Sequence, residues 1–296
     1  MRKFLTAVLL LAISTVNAQV GIGTTTPNTS AALDVTSTSQ GFLPPRMTQL
    51  QRNTISSPVA GLIVWCTDSG SSGELQVFNG TNWTSLTGTF VCGTTVTFTY
   101  NGSSVTYGTV LSTGGKCWLD RNLGATNVAT SSTDAASYGD LFQWGRGADG
   151  HQIRISNTST ELSSSDASGN ADFILSPNLP YDWLSQQNDN LWQGVNGTNN
   201  PCPNGFRLPT ITELEEEFAS WSSPNSAGAL ASPLKLPIAG VRLHDTGSFG
   251  NVGIYGRYWS STVNNTGAYS LSFRSSQVFT SGEYRATGRS VRCIKD

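Results

Sequence analysis

Side chains suited to metal or sugar binding are concentrated in one polar segment. Asp189 and Asn190 come shortly before Trp192, and Asn196 follows among further amides. Carboxylate and amide oxygens are ligands that Ca²⁺ prefers, and an aromatic ring beside amides suits stacking on a sugar. The spacing is not that of an EF-hand loop, so no motif supports Ca²⁺ as a cofactor. We expect a ligand site from Asp189, Asn190, Trp192 and Asn196; the alternative is a structural polar loop.

Tyr255 is a further candidate for this site. It lies close to Tyr258 and Trp259, which the sequence places among short terminal strands. Aromatic residues in that position serve either as core or as a binding platform. We assign Trp259 to the core and keep Tyr255 as a candidate ligand-binding residue.

Other charged clusters have simpler structural explanations. Glutamates at 213 and 215 to 217 could suggest acid–base chemistry, but early carboxylates complement a helix dipole and consecutive helical residues do not share a face. We interpret them as a solvated helix surface. Asp120 and Arg121 could belong to an active site, but a buried ion pair that ties a loop to a sheet accounts for them better.

Catalysis has no specific support in the sequence. Ser260 and Ser261 lack a nucleophile-elbow context, and neither His151 nor His244 lies near a recognisable triad element. No CxxC pair is present, so a zinc site is not expected. A secreted hydrolase would need paired carboxylates that the sequence does not place. The sequence favours a protein that is not an enzyme.

The first 18 residues have the pattern of a secretory signal peptide. A basic Met1-Arg2-Lys3 start precedes an uncharged apolar run, and Val16-Asn17-Ala18 resembles a signal peptidase site. The apolar run is too short to span a bilayer, and no later stretch is long and apolar enough. We expect a protein that is secreted or held at the cell surface, with the periplasm as an alternative, and not a transmembrane protein.

Composition limits the partners. Without Arg2 and Lys3 the chain has 15 basic and 19 acidic residues, a net charge of about −4. A mildly acidic chain without a basic block argues against nucleic acid as a partner. Charged residues are 12% of the chain, about half of ordinary usage, as in extracellular β-rich proteins.

Five cysteines remain after export, namely Cys66, Cys92, Cys117, Cys202 and Cys293. An oxidising compartment favours disulfides, and an odd number leaves at least one thiol free or bonded to another chain. Cys66 ends an apolar run typical of a buried strand, so we interpret it as the free thiol. The simplest pairing is Cys92 with Cys117 and Cys202 with Cys293, although the sequence permits others.

Residues 19–88 are predicted to form a smaller, mainly β segment. Short strands are expected on both sides of a Pro27-Asn28 turn, and Asn79-Gly80 between alternating runs predicts a hairpin. The segment has few bulky apolar residues, so pairing with copies of itself is plausible. GIGTTTPNTSAALDVTSTSQGFLPPRMTQLQRNTI, GLIVW and LQVFNGTNWTSL resemble a segment found in secreted Bacteroidota proteins and in trimeric phage tail fibres. That resemblance implies an assembly or presentation module and a homotrimer.

Residues 89–296 are predicted to form an α+β domain with little helix. Thr210 and Glu213 form a capping box, after which Ile211, Leu214 and Phe218 recur at helical spacing. Asn101-Gly102 predicts a second hairpin. Between 151 and 200 the chain is long, polar and irregular, which in a compact domain indicates a functional or a disordered loop; Trp183 and Trp192 favour an ordered one.

A set of motifs in this second domain resembles the Fibrobacter succinogenes major paralogous domain over residues 92–296. The motifs are CWLDRNLGA, YGDLFQWGRG, NDNLWQGVNG, NPCPNGFRLPT, LKLPIAG, GRYWSST and GRSVRCIKD. The resemblance implies a loop-rich fold related to C-type lectins, and it supports a Cys202–Cys293 disulfide. It implies no activity. The Glu-Pro-Asn and Gln-Pro-Asp triplets of calcium-dependent lectins are absent, and so is the cysteine pair of formylglycine-generating enzymes.

The sequence therefore predicts a secreted, non-enzymatic protein. A mainly β segment would present a C-type-lectin-like domain that binds a glycan or a surface protein through the loop at 150–200. The alternative is a structural component of an extracellular or envelope assembly without a soluble ligand.

Overall fold

The structure is a computed structural model that describes residues 19–69, 73–86 and 90–296. The predicted signal peptide lies outside these residues. Contacts divide the chain into two compact units, the first ending at Arg46 and the second comprising Met47–Asp296. The predicted boundary at residue 88 falls within 87–89, which lie outside the described residues.

The first unit contains a two-stranded parallel ribbon of β1 (Val20–Ile22) and β2 (Leu33–Val35). Both strands were expected at these places. Gly23, with φ of +74°, and the Thr24 to Ser30 turns reverse the chain between them. The Thr36 amide donates to the Ile22 carbonyl at 2.9 Å and closes the ribbon at its far end.

The second unit begins with a short helix and a small sheet. Thr48 caps α1 (Gln49–Asn53) with a full capping box to Gln51. The sheet has the order β3-β4-β5-β6, in which β3 is at the boundary of the two units. Its strands are β3 (Arg46–Met47), β4 (Ile63–Cys66), β5 (Glu74–Phe78) and β6 (Trp83–Ser85). The predicted Asn79-Gly80 hairpin joins β5 to β6, with Gly80 at φ of +100°.

A five-stranded antiparallel sheet, of order β12-β18-β9-β8-β7, brings the two ends of the predicted second domain together. Its strands are β7 (Thr95–Tyr100), β8 (Ser103–Leu111), β9 (Cys117–Leu119), β12 (Phe206–Arg207) and β18 (Ile294–Lys295). Asn101 and Gly102 both have positive φ between β7 and β8, as a type I′ hairpin requires. The predicted hairpin is confirmed.

Two disulfides reinforce this sheet. Cys92 is bonded to Cys117 in β9, and Cys202 is bonded to Cys293 just before β18. Cys66 is free and buried. The predicted pairing is confirmed, and it ties the entrance of the main helix to the final strand of the sheet.

The main helix, α2 (Ile211–Ala219), packs on a second antiparallel sheet of order β15-β16-β17. These strands are β15 (Gly256–Asn264), β16 (Gly267–Arg274) and β17 (Gln277–Glu283). Thr210 caps α2 with the predicted capping box to Glu213. A short helix, α3 (Ser226–Ala231), follows α2. A 3-10 turn lies at Ala135–Ser137. Two further strand pairs are β10 (Thr158–Ser159) with β11 (Phe173–Ile174), and β13 (Val241–Arg242) with β14 (Phe249–Gly250).

Tryptophans dominate the core of the second unit. Trp118, Trp144, Trp183, Trp192 and Trp259 have no exposed surface. Several of their indole N–H groups donate to loop carbonyls, for example Trp259 to Phe142 and Trp183 to Trp144. Because each such ring fills space and also satisfies a loop carbonyl, long irregular loops can be part of the core.

The loop-rich, strand-containing fold with little helix was predicted and is confirmed for the described residues. The apolar segment 234–240 forms no strand, because pairing begins only at Val241. Side chains satisfy this segment instead: Arg292 donates to the Leu234 carbonyl and Tyr258 donates to that of Pro237. None of the described helices has the length and apolar character needed to cross a membrane.

Candidate functional site

The ribbon of the first unit presents an apolar surface. Val20 pairs with Leu33 and Ile22 with Val35, and alternate strand residues share a face, so the four side chains lie together. They are 40–55% exposed. The opposite face carries Gly21 and Asp34, whose carboxylate accepts the Asn28 amide at 2.8 Å. We call the four apolar side chains the ribbon face.

The ribbon is too small to be stable by itself. Two strands of three residues bury little apolar surface, and isolated two-stranded structures are marginal in water. Phe42 and Leu43, in the same unit, are 69% and 66% exposed. A cluster of exposed apolar side chains of this kind is typical of an interaction surface. The first unit therefore has the character of a segment that other chains complete.

The beginning of the second unit shows a similar imbalance. Leu50 and Val59 are 77% and 68% exposed, whereas the buried groups include polar ones. Arg52 is 1% exposed, and its guanidinium contacts Gln76 and lies 5.7 Å from the centre of the Trp83 ring. A small core held by hydrogen bonds, with apolar side chains outside, is unusual for a protein that acts alone.

The predicted ligand loop is ordered around a buried tryptophan. Trp192 has no exposed surface, lies 5.5 Å from the Trp144 ring, and donates its indole N–H to the Arg146 and Asn199 carbonyls. Neither face of this ring is open to a ligand. The structure therefore places Trp192 as the anchor of the loop and not as a stacking platform.

The other predicted ligand residues have different surroundings. Asp189 forms an ion pair with Arg285 at 2.5 Å. Asn190 and Asn196 are exposed in the same loop. Tyr255 is half-buried on the β15 sheet, where its hydroxyl accepts from Arg274 at 2.9 Å. Ligand binding by these four residues stays a prediction.

A buried carboxylate lies close to this loop. Asp182 is 2% exposed; one of its oxygens accepts the Leu184 amide, while Oδ2 has no hydrogen-bond partner. Burial raises the pKa of Asp182 to about 6, against the lowering effects of the Leu184 amide and of Arg285. This group combines a shifted pKa with a missing partner, as functional carboxylates do, but it does not open into a cleft of the described structure.

Asp149 and His151 form the nearest approach to a catalytic dyad. His151 Nδ1 lies 2.5 Å from Asp149 Oδ1, while Nε2 accepts the Gln143 amide at 3.0 Å. Burial lowers the pKa of His151 in spite of the Asp149 contact. Because Nε2 is occupied and the ring has no exposed surface, this histidine cannot accept a proton from a substrate in this conformation. The Ser168 hydroxyl donates to Asp149 and not to the imidazole.

The glutamates of α2 are only partly a solvated surface. Glu213 caps the helix and pairs with Arg207 at 2.8 Å, and Glu215 and Glu216 are exposed. Glu217, however, is 2% exposed, contrary to expectation, and accepts from the Trp221 indole. Burial raises its pKa. Glu217 precedes Trp221 by four residues and therefore lies on the same, inward-facing side of the helix. This position buries Glu217 in spite of its polarity.

The expected Asp120–Arg121 ion pair is present. Arg121 Nε lies 2.7 Å from Asp120 Oδ1, and the guanidinium lies 4.9 Å from the centre of the Tyr107 ring. Asp120 also accepts the Gly108 amide at 3.1 Å. The pair joins the loop after β9 to strand β8, which is the structural role assigned to it from the sequence.

An aromatic cluster that the sequence did not indicate lies at the surface. Tyr181 lies 4.3 Å from Tyr284 and 5.1 Å from His244, measured between ring centres. Tyr284 is 46% exposed. Leu179, two residues before Tyr181 in the sequence, is 80% exposed. Tyr181 has φ of +61°, a strained conformation for a bulky residue. The three rings come from distant loops, so no local pattern could reveal the cluster.

Among the described residues, no group of three or more His, Cys, Asp or Glu side chains is arranged to hold a metal ion. Some oxygen atoms of the polar loop accept from neighbouring protein groups: Asn188 Oδ1 accepts the Asn190 amide at 2.9 Å, and Asp166 accepts from Asn188 Nδ2 at 3.0 Å.

The comparisons with known proteins agree with the geometry of the N-terminal part. A family model described as a phage tail like trimerisation region matches residues 21–105. The match includes three of the four residues of the ribbon face and extends into the β7 strand and its turn. No curated protein and no solved structure matches the chain.

Proposed function

We propose that this protein is a structural component of an extracellular or envelope assembly, and that it forms a homotrimer through its N-terminal segment. The observation that carries the proposal is the ribbon face, where Val20, Ile22, Leu33 and Val35 are exposed side by side. Three chains could bury these faces against one another and so supply the core that one ribbon lacks. The match of residues 21–105 to a trimerisation region supports three as the number.

The second unit would then be the part that the trimer presents. Its two disulfides suit an oxidising compartment, in line with the predicted signal peptide and an exported protein. The resemblance to the Fibrobacter succinogenes major paralogous domain remains part of this proposal, as does a C-type-lectin-like arrangement of the loop-rich unit. The order of parts, an assembly segment followed by a compact domain, is that of a displayed module.

The test is the mass of the protein in solution, measured by size-exclusion chromatography with light scattering. We expect three times the chain mass for the wild type, and dissociation for Ile22→Asp and Leu33→Asp, because each charge would have to be buried at the interface. Ile155→Asp is the matched control, since Ile155 is 91% exposed and lies outside the matched region. A monomeric wild type, or a trimer that survives both ribbon substitutions, would contradict the proposal.

Ligand binding by the second unit is a second candidate function, favoured by the Tyr181, His244 and Tyr284 cluster. Tyr284 is 46% exposed, and an exposed tyrosine suits stacking on the apolar face of a sugar ring. The partly buried, strained Tyr181 is held beside it by the amide of Ala286, which donates to the Tyr181 carbonyl at 3.0 Å. Binding to a glycan array should be lost in Tyr284→Ala and kept in Ile155→Asp. Equal glycan binding by all three proteins, or none by the wild type, would remove this candidate.

A further inference from the structure

One face of the β15-β16-β17 sheet carries two arginines, Arg257 and Arg274, without matching carboxylates among the described residues. Tyr255 precedes β15 on the same face as Arg257 and Trp259, because alternate strand residues share a face. Arg257 Cζ lies 4.7 Å and Arg274 Cζ 5.5 Å from the centre of the Tyr255 ring. Further along, the Arg289 guanidinium lies 5.1 Å from the Trp259 ring. Arg257 in β15 and Arg274 in β16 therefore both lie beside the Tyr255 ring.

The partners of these arginines are few. Arg289 pairs with Glu283 and donates to the Ser270 hydroxyl at 2.9 Å. Arg274 donates to the Tyr255 hydroxyl. Neither Arg257 nor Arg274 has a carboxylate within ion-pair distance in the described parts of the chain, and the Arg257 guanidinium has no hydrogen-bond partner there. Elsewhere a similar stacked arginine, Arg121 over Tyr107, is neutralised by Asp120.

Buried donors at the same place also lack acceptors. Ser272, directly opposite Arg257 in the sheet register, has no exposed surface, and its hydroxyl has no partner. The Nε groups of Arg257, Arg274 and Arg289 are buried and equally unsatisfied. Buried polar groups in folded proteins are normally hydrogen-bonded, and each exception requires an explanation. These groups are all hydrogen-bond donors, and Arg257 and Arg274 also carry positive charge without a carboxylate, so an acceptor with negative charge would suit them.

We propose that Arg257, Arg274 and Tyr255 form a binding site for an oxyanion, such as a carboxylate, sulfate or phosphate group. The guanidinium fork of Arg257 is free to bind two oxygen atoms of such a group. The Tyr255 ring holds both guanidiniums in place through cation–π contacts, and the unpartnered Ser272 hydroxyl lies opposite Arg257 in the sheet. This gives Tyr255 a positioning role in the site. The site depends on one chain only and does not rest on the trimer.

Thermal unfolding of the full protein in acetate, sulfate or phosphate, at the ionic strength of a chloride reference, tests the site. Sulfate and phosphate also stabilise proteins generally by exclusion from the surface, so the comparison between variants is what decides. The wild type and Arg121→Gln should show the same saturable rise of the melting temperature with one or more of the anions. Arg257→Gln and Arg274→Gln should require about tenfold more anion, the effect of losing one charge-assisted hydrogen bond.

A structural role for these arginines gives different results. If they only supported the fold, Arg257→Gln would melt lower in chloride and would keep the wild-type response to the anions, and this would overturn the proposal. A wild type without a saturable response to any of the three anions would also overturn it. If Arg257→Gln does not fold, Arg257→Lys keeps the charge without the fork, and the proposal requires it to respond more weakly than Arg121→Gln. The anion that gives the largest response identifies the chemical source of the ligand.

Discussion

Arg285 Nη1 lies 4.0 Å from Asp182 Oδ2, a contact too long for a hydrogen bond between two buried groups. Nη1 donates instead to the Asn188 carbonyl at 3.1 Å, Nη2 to Asp189 at 2.5 Å and Nε to the Gly267 carbonyl at 3.3 Å. The Arg285 Cζ lies 4.4 Å from the centre of the Trp144 ring. Arg285 thus secures the polar loop but leaves the buried Asp182 without full compensation.

This arrangement predicts a pH dependence of stability with a definite sign. The pKa of Asp182 is about 6 in the folded protein and 3.8 in the reference state, so the folded protein holds the proton more tightly. The stabilisation is fully present below pH 3.8 and is lost as pH rises through 6. We expect Asp182→Asn, which stays uncharged, to gain about 2–3 kcal/mol relative to the wild type between pH 4 and pH 7.

The measurement is urea unfolding of both proteins at several pH values in this range. Asp189→Asn is the matched control, because the ion pair with Arg285 lowers the pKa of Asp189; its difference from the wild type should be constant between pH 5 and 7. A constant difference for Asp182→Asn as well would show that Asp182 is charged throughout in the folded protein.

The two disulfides should differ in what their removal costs. Cys202 and Cys293 are 91 residues apart, and Cys92 and Cys117 are 25 apart. A longer closed loop restricts the unfolded chain more, so the chain-entropy relation gives about 4–5 kcal/mol for the first and about 3–4 kcal/mol for the second. Double substitutions to alanine, compared by chemical unfolding at one protein concentration, test this order. A larger loss for the Cys92–Cys117 variant would mean that residual structure in the unfolded state controls the effect.

The buried position of Trp192 predicts a stability defect and not a selective loss of binding. Trp192→Ala would leave a cavity beside Trp144 and release the Arg146 and Asn199 carbonyls, at a cost of about 3–5 kcal/mol in the free energy of unfolding. Tyr284→Ala, at a 46% exposed position, should cost about 1 kcal/mol or less. Comparable losses in the two variants would place Trp192 outside the core.

Local signals in the sequence were sufficient for the parts of the fold that local interactions determine. The capping box at Thr210 and the Asn-Gly turns act over three or four residues, and each is found where it was predicted. The free Cys66 and the two disulfides agree with the simplest pairing of the five cysteines, although the sequence also permitted others.

The roles of the residues in the candidate sites could not be predicted from local signals, because they depend on contacts between distant segments. Trp192 lies in a polar stretch and Glu217 follows two other glutamates, yet tertiary packing buries both. The Tyr181, His244 and Tyr284 rings meet across separations of more than 30 residues. The role proposed for Arg257 rests on the lack of an ion-pair partner among the described residues. The absence of such a partner leaves no pattern in the sequence.

The shape of the ribbon, and not only its apolar face, should control assembly. Gly23 follows β1 with φ of +74°, and a Cβ there would lie 2.0 Å from the Thr36 carbonyl oxygen. Gly23→Ala would therefore disturb the Thr36–Ile22 hydrogen bond that closes the ribbon. A strained backbone costs on the order of 1 kcal/mol or more per chain. In a trimer the cost from the three chains adds up to roughly 3 kcal/mol, which lowers the association constant about a hundredfold.

Gly41→Ala is the control within the same unit, since a Cβ at Gly41 would have no neighbour within 4 Å. Sedimentation equilibrium of the three proteins should show dissociation for Gly23→Ala at concentrations where the wild type and Gly41→Ala remain trimeric. Ile22 and Leu33 are unchanged in both variants, so any difference reports the geometry of the ribbon alone. If Gly23→Ala assembles as tightly as the wild type, the ribbon is not at the trimer interface, and the exposed side chains of Phe42, Leu43 and Leu50 become the surface to test.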